Sequence, residues 1–178
     1  FFNKTLITDI KFAHQRFRRL PQVLSVYFDP GPVLDYGTDG VASALNYELQ
    51  LDYRPNDKAL VHMGYSWMNI EHKGGFVNYR ESVPHHTLNL LTAYEFPQQW
   101  QASLAYYYHS EMQYLRTFNG MDQSQRLDFI LRKSINLTQG QNLEFSFIHQ
   151  NTLGSKDELE GNNRLSDRTF FEISYKYD

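Results

Sequence analysis

The sequence contains no cysteine, and its 178 residues include only 6 prolines and 10 glycines. Without cysteine there is neither a disulfide scaffold nor a thiolate-ligated metal site, although an oxidising envelope compartment stays compatible. Long hydrophobic runs are missing too. No window approaches the roughly 18 apolar residues a spanning helix needs, and the mean hydropathy is -0.58, which excludes a helical membrane protein. Net charge is small, -3 at neutral pH, which argues against a nucleic-acid binder. Neither a methionine nor a signal peptide opens the sequence, so Phe1 reads as the start of a processed product or of a piece of something larger.

Aromatic residues are abundant: 13 Tyr, 13 Phe and 2 Trp. Their placement has a period of two. Leu88, Leu90, Thr92, Tyr94 and Phe96 share one face of a strand, and Thr87, Asn89, Ala93 and Glu95 share the other. Pro97-Gln98-Gln99 makes a turn, and Trp100, Ala102, Leu104, Tyr106 and Tyr108 then oppose Gln101, Ser103, Ala105, Tyr107 and His109. The same alternation runs through Leu45–Tyr53, Val61–Trp67, Leu127–Leu137, Leu143–Phe147 and Phe171–Tyr177, where Lys133 alone spoils the apolar face. Residues 1 to 10 look like the end of a strand. Lys11 to Asp35, rich in Arg, Pro and Gly, reads as a long loop with room for a short strand from Leu24 to Phe28.

These strands run to roughly 10 to 15 residues, where ordinary sheets favour about 5 or 6. Connections alternate in length: short at 54–57, 97–99 and 138–142, long at 11–35, 73–84 and 154–167, with 117–122 between. Outer-membrane barrels have short periplasmic turns and longer external loops, and a polar lumen at every second residue keeps their mean hydropathy low. Tyr53, Tyr94, Phe96, Trp100 and Tyr177 gather at the short-turn end, as an interfacial girdle does. A sandwich or lipocalin-like barrel alternates as well, with its apolar face inward. Strand length, loop asymmetry and the girdle together favour an all-β, antiparallel transmembrane barrel, of which about eight strands are present in this sequence.

Three stretches carry a family resemblance. DYGTDGVASALNYELQLDYRPND (35–57) places small residues and glycine ahead of an alternating strand and an Arg-Pro turn. In YRESVPHHTLNLLTAYEFPQQWQASLAYYYHS (79–110), Pro84, His86, Thr87 and Asn89 match a Val-Pro-x-His-Thr-x-Asn approach to a strand, and NKTLITDI (3–10) looks like the end of a strand before an external loop. The sequence thus resembles the C-terminal part of the barrel of a TonB-dependent outer-membrane receptor. One departure is the ending Tyr177-Asp178, where the family usually finishes on an aromatic residue. The resemblance implies that residues 1–178 are a segment of a 22-stranded barrel, with the N-terminal plug and the TonB-contacting region lying outside them. It also implies a bacterial outer-membrane location, uptake of a scarce nutrient such as a ferric siderophore or other metal chelate, and no cofactor. The alternatives are a free-standing small barrel with a structural or adhesive role and, third, a barrel enzyme.

The seven histidines invite a metal or catalytic reading. His85 and His86 are neighbours on an extended segment, so they point to opposite faces and cannot chelate one ion together. His62 and His109 fall on the polar face, where hydrogen bonding is expected. Ser103, His109 and Glu95 share that face as the elements of a conceivable triad, but no enzyme is expected. The sharper candidate is His14-Gln15-Arg16-Phe17-Arg18-Arg19. Arg16, Arg18 and Arg19 are suited either to an anionic ligand, which guanidinium binds bidentately, or to the phosphates of outer-leaflet lipopolysaccharide. Tyr79 and Arg80 are weaker additions. The charged lumen residues, among them Arg126, Asp128 and Arg132, are mixed in sign and read as wall-to-wall or wall-to-plug pairs.

Overall fold

A computed structural model of the chain describes residues 5–28, 31–73, 79–113, 120–138, 140–151, 153 and 166–177, with the side chains of 21–36, 38–39 and 138 outside the description. The expected loops at 73–84, 117–122 and 154–167, and the terminal Asp178, therefore lie wholly or partly outside the described residues. The strands are β1 (Thr5–Phe28), β2 (Gly31–Asn56), β3 (Ala59–Lys73), β4 (His86–Phe96), β5 (Trp100–His109), the two-residue pair β6 (Met112–Gln113) and β7 (Gly120–Met121), β8 (Ser124–Thr138), β9 (Gln141–Gln150) and β10 (Arg168–Tyr177). Eight form one antiparallel sheet in the order β1-β2-β3-β4-β5-β8-β9-β10, so each strand neighbours its predecessor in the sheet. Among the described residues the sheet is open: β1 pairs only with β2, and β10 only with β9.

The expected long loop from Lys11 to Asp35 is not a loop. β1 and β2 pair from Thr5 opposite Arg54 to Phe28 opposite Gly31, and Leu24–Phe28 is the last stretch of one 24-residue strand. Charge hid the period, because His14, Arg16 and Arg18 alternate with Gln15 and Phe17 instead of with an apolar set. β3 stops pairing at Val41 opposite Lys73, so the far part of β1 and β2 is a two-stranded arm. Among the described residues each arm strand has one unpaired edge, where the missing N–H of Pro21 or Pro32 is tolerated. Arg19 (φ 61°) bulges out where the register slips between Arg18 and Leu20.

Short turns join the remaining hairpins. The first is displaced from the expected 54–57 to Asp57-Lys58: the Asn56 side-chain oxygen accepts from the Lys58 backbone N–H at 2.9 Å, and the register slips around Pro55. Gln98 and Gln99, both at φ 62°, turn the second hairpin, and Gly140 (φ 78°) sits in the third, where its lack of a Cβ relieves the strain. The three hairpins are staggered. Ala59, at the start of β3, faces Tyr94, two residues before the end of β4, and Trp100, at the start of β5, faces Lys133, five residues before the end of β8.

The sheet is one layer thick. Among the described residues the only buried hydrophobic side chains are Ala42 and Ala44, whereas Ser124, Asp128, Ser146 and Asn151 are buried polar residues. The paired registers put Leu6, Tyr53, Val61, Thr92, Leu104 and Phe129 in one cross-strand row on the same face. That face carries most of the large hydrophobic side chains that stay exposed, including Ile10, Phe12, Leu104, Phe145, Phe171 and Ile173. The alternation expected for β4, β5, β8, β9 and β10 is therefore present, and the eight strands match the expected number. Ser124, Asp128 and Ser146 lie on the opposite face.

Candidate functional site

The polar face forms a wall of paired charges and hydroxyls. Asp52 and His62 face each other across β2 and β3, with the imidazole Nδ1 2.6 Å from the carboxylate, and the Gln50 amide donates to the other carboxylate oxygen at 3.2 Å. His62 is thus a hydrogen-bonding wall residue, as its polar-face position predicts. Beside this pair the wall dips into a cavity of about 250 Å³, lined by Asp9, Lys11, Glu48, Gly64, Ser66 and Asn89 among others. A Cβ on Gly64 would meet only the Asn89 amide nitrogen, at 3.8 Å, so the dip is open space. Lys11 leans toward Asp9 at 3.4 Å, and Ser66 and Thr87 share a hydrogen bond at 2.6 Å.

A second cluster stands at the long-loop end of β8. Arg126 forks onto Asp128 with Nε and Nη2 at 2.8 and 2.7 Å, and the backbone N–H of Asn151 donates to the same carboxylate at 3.0 Å. Residues two apart on a strand share a face, so an Arg-x-Asp segment makes this fork from local geometry alone. The Arg126 guanidinium lies 5.7 Å from the centre of the Tyr107 ring on β5. Tyr107, Asn89, His109, Ser124 and Arg126 border a recess of about 520 Å³. The expected pairing of wall charges is thus seen in Arg126–Asp128.

The sequence-predicted site residues do not converge. Arg16 and Arg18 are exposed strand residues opposite Ser43 and Val41, on the apolar face of the sheet, and Arg19 is the bulge between the two pairing registers. Tyr79 packs edge-on against His72 at 5.4 Å, and His72 stands opposite Ala42 on the polar face. Arg80 follows Tyr79 in a turn that Ser82 closes onto the Tyr79 carbonyl at 2.7 Å, and Glu81 of that turn accepts from the Gln113 N–H of β6 at 2.6 Å. Arg16 and Arg18 therefore stand on the apolar face, whereas Tyr79 packs against a residue of the polar face.

His85 and His86 also have separate partners. His85 bonds the Met68 carbonyl at 2.8 Å, and His86 bonds the Tyr65 hydroxyl at 2.8 Å. Ser103 and His109 are six positions apart on the same strand, about 20 Å at 3.3 Å per residue, so with Glu95 they form no triad.

Two features escaped the sequence reading. Phe12, Tyr47 and Trp67 stack across β1, β2 and β3 with ring centres 5.0 and 5.4 Å apart, a second aromatic row toward the long-loop end of the apolar face. Only the register reveals it, since the three lie far apart in the chain. Lys133, the charge that spoils the face of β8, reaches the short-turn end: its ammonium bonds the Gln98 carbonyl and lies 5.3 Å from the centre of the Trp100 ring. No known protein-family model, curated protein or solved structure matches the chain.

Proposed function

We propose that this sheet is part of the wall of a large outer-membrane β-barrel, that its apolar face meets lipid, and that the complete protein is a TonB-dependent receptor. The observation that carries the membrane reading is the inverted burial. A single layer exposes its large hydrophobic side chains and buries Ser124, Asp128 and Ser146, whereas a water-facing domain must cover such a face with a second layer. Aromatic rows bound the exposed face at both ends, Phe12–Tyr47–Trp67 at one and Tyr94–Phe96 with Trp100 at the other. From Trp100 to Tyr108 on β5 the apolar face covers nine residues, within the roughly 9 to 11 residues a tilted strand needs to cross a bilayer.

The hairpin stagger supports closure into a barrel. Steps of two and five residues correspond to about 23 Å of slip across roughly 19 Å of sheet, a slope near the 45° tilt that barrels need. The free edges of β1 and β10 favour a wall that continues into further strands over a self-contained eight-stranded barrel, which would close β1 on β10.

The receptor reading adds the family resemblance in 3–10, 35–57 and 79–110: uptake of a scarce metal chelate, such as a ferric siderophore, through the polar lumen, driven by TonB acting on a region outside this sequence. Cells producing the complete protein should accumulate radiolabelled iron from at least one of a panel of ferric chelates, and an uncoupler that collapses the proton-motive force should abolish the uptake. Uptake insensitive to the uncoupler, or no chelate taken up above a deletion strain, would remove the receptor reading and leave the barrel.

A further inference from the structure

We propose that a groove across the polar wall admits cationic metal chelates in preference to anionic ones, and that Glu48 is the residue that selects between them; the chelate rests on the receptor reading above. The 250 Å³ cavity and the 520 Å³ recess both border on Thr87 and Asn89, so they are two ends of one groove. Its floor is a pair of neighbouring cross-strand rows that run from Asp9 and Lys11 on β1 to Arg126 and Ser124 on β8, about 24 Å over five strand spacings. In these rows and the one beside them, which holds Asp52, His62 and Asp128, four carboxylates stand against two permanent cations among the described residues. Both cations are occupied. Lys11 stands opposite Glu48 in register, yet its ammonium lies 3.4 Å from Asp9, and the Arg126 guanidinium is forked onto Asp128 and packed on the Tyr107 ring. Asp52 has the His62 imidazole. Glu48 is left exposed with the Asn46 amide at 2.7 Å, and among the described residues no cation lies within ion-pair reach of it. An anionic chelate entering here meets a negative surplus and no unoccupied cation, whereas a cationic group meets the Glu48 carboxylate. The arginines that suit an anion, Arg16 and Arg18, stand on the other face of the sheet.

The test places a single thiol in the groove of the complete protein, rendered free of other cysteines and folded in neutral detergent at low salt. Gly64→Cys is the first variant, since a Cβ there meets only the Asn89 amide nitrogen, at 3.8 Å. Ser66→Cys, a one-atom change opposite Glu48, is the second. The probes are a cationic and an anionic methanethiosulfonate of similar size, and the ratio of their rates is read relative to free cysteine. Gly64 and Glu48 are diagonal neighbours on β3 and β2, about 7–8 Å apart. One charge at that distance in water changes the local concentration of a unit charge about 2.5-fold, and the reagents differ by two charges. The thiol should therefore favour the cationic reagent, and Glu48→Gln should lower the rate ratio about sixfold. Glu71→Gln, which removes an exposed acid from the outward face, should leave it unchanged. Binding then uses one ferric trihydroxamate with three endings: a terminal ammonium, its acetamide and its succinamic acid. The ammonium form should bind most tightly and the carboxylate form most weakly, with Glu48→Gln narrowing the gap. A rate ratio that Glu48→Gln leaves alone, a preference for the anionic reagent, or thiols at both positions that react with neither reagent overturns the selection. A cation preference at the thiol, together with chelates that bind without regard to charge or not at all, overturns the chelate assignment. The receptor reading fails separately, by the uptake test with the uncoupler.

Discussion

Lys133 shows how one residue can break a pattern and still fit it. Its stem crosses the apolar face of β8 while its ammonium reaches the turn carbonyl of Gln98 and the Trp100 ring. Lys133→Ala should lower unfolding stability in lipid by about 0.5–1 kcal/mol, read from the urea midpoint. An unchanged midpoint would mean that the ammonium contributes nothing at the interface. Asp128 does more, because it accepts from both Arg126 and the Asn151 backbone. Asp128→Ala leaves two donors without this acceptor and should cost about 1–3 kcal/mol, with faster hydrogen exchange at the Asn151 amide. If that amide exchanges at the wild-type rate, the carboxylate is not what holds the start of the long connection.

At the scale of strands, the two faces make opposite demands on neighbouring residues. Leu104 lies midway along the apolar positions of β5, and Ser103 beside it faces the polar wall. Leu104→Arg should disfavour folding into vesicles by roughly 2–4 kcal/mol, as a basic residue on the lipid face does near the midplane, while Ser103→Arg folds normally. Equal yields of heat-modifiable protein from the two variants would contradict the face assignment. Ser146 is a poor control despite sharing the polar face, because it is only 6% exposed between Arg132 and Glu172. β3, β4, β5, β8, β9 and β10 were legible from the sequence because alternation over about ten residues leaves one extended reading. The part of β1 and β2 from Lys11 to Asp35 was not, since Arg16, Arg18 and Pro21 imitate loop composition while the pairing that holds them extended comes from a distant segment. The sequence grouped Arg16 and Arg18 with Tyr79 and Arg80, although register puts the first two on the apolar face while Tyr79 packs against His72 of the polar face.

For the whole molecule, the question is which medium covers the face that carries Ile10, Leu104 and Phe171. The absence of cysteine from this sequence makes spin labelling direct, because each introduced thiol in the segment is unique. Single cysteines at positions 101 to 107 of the complete protein, labelled with a nitroxide in phospholipid vesicles, measure collision with lipid-soluble oxygen against a water-soluble nickel chelate. A lipid-facing apolar surface predicts an alternating profile, with oxygen favoured at 102, 104 and 106 and the nickel chelate favoured at 101, 103, 105 and 107. An inverted phase, or equal nickel access at all seven positions, would show that lipid does not cover the apolar face and that the sheet is not the wall of a membrane barrel.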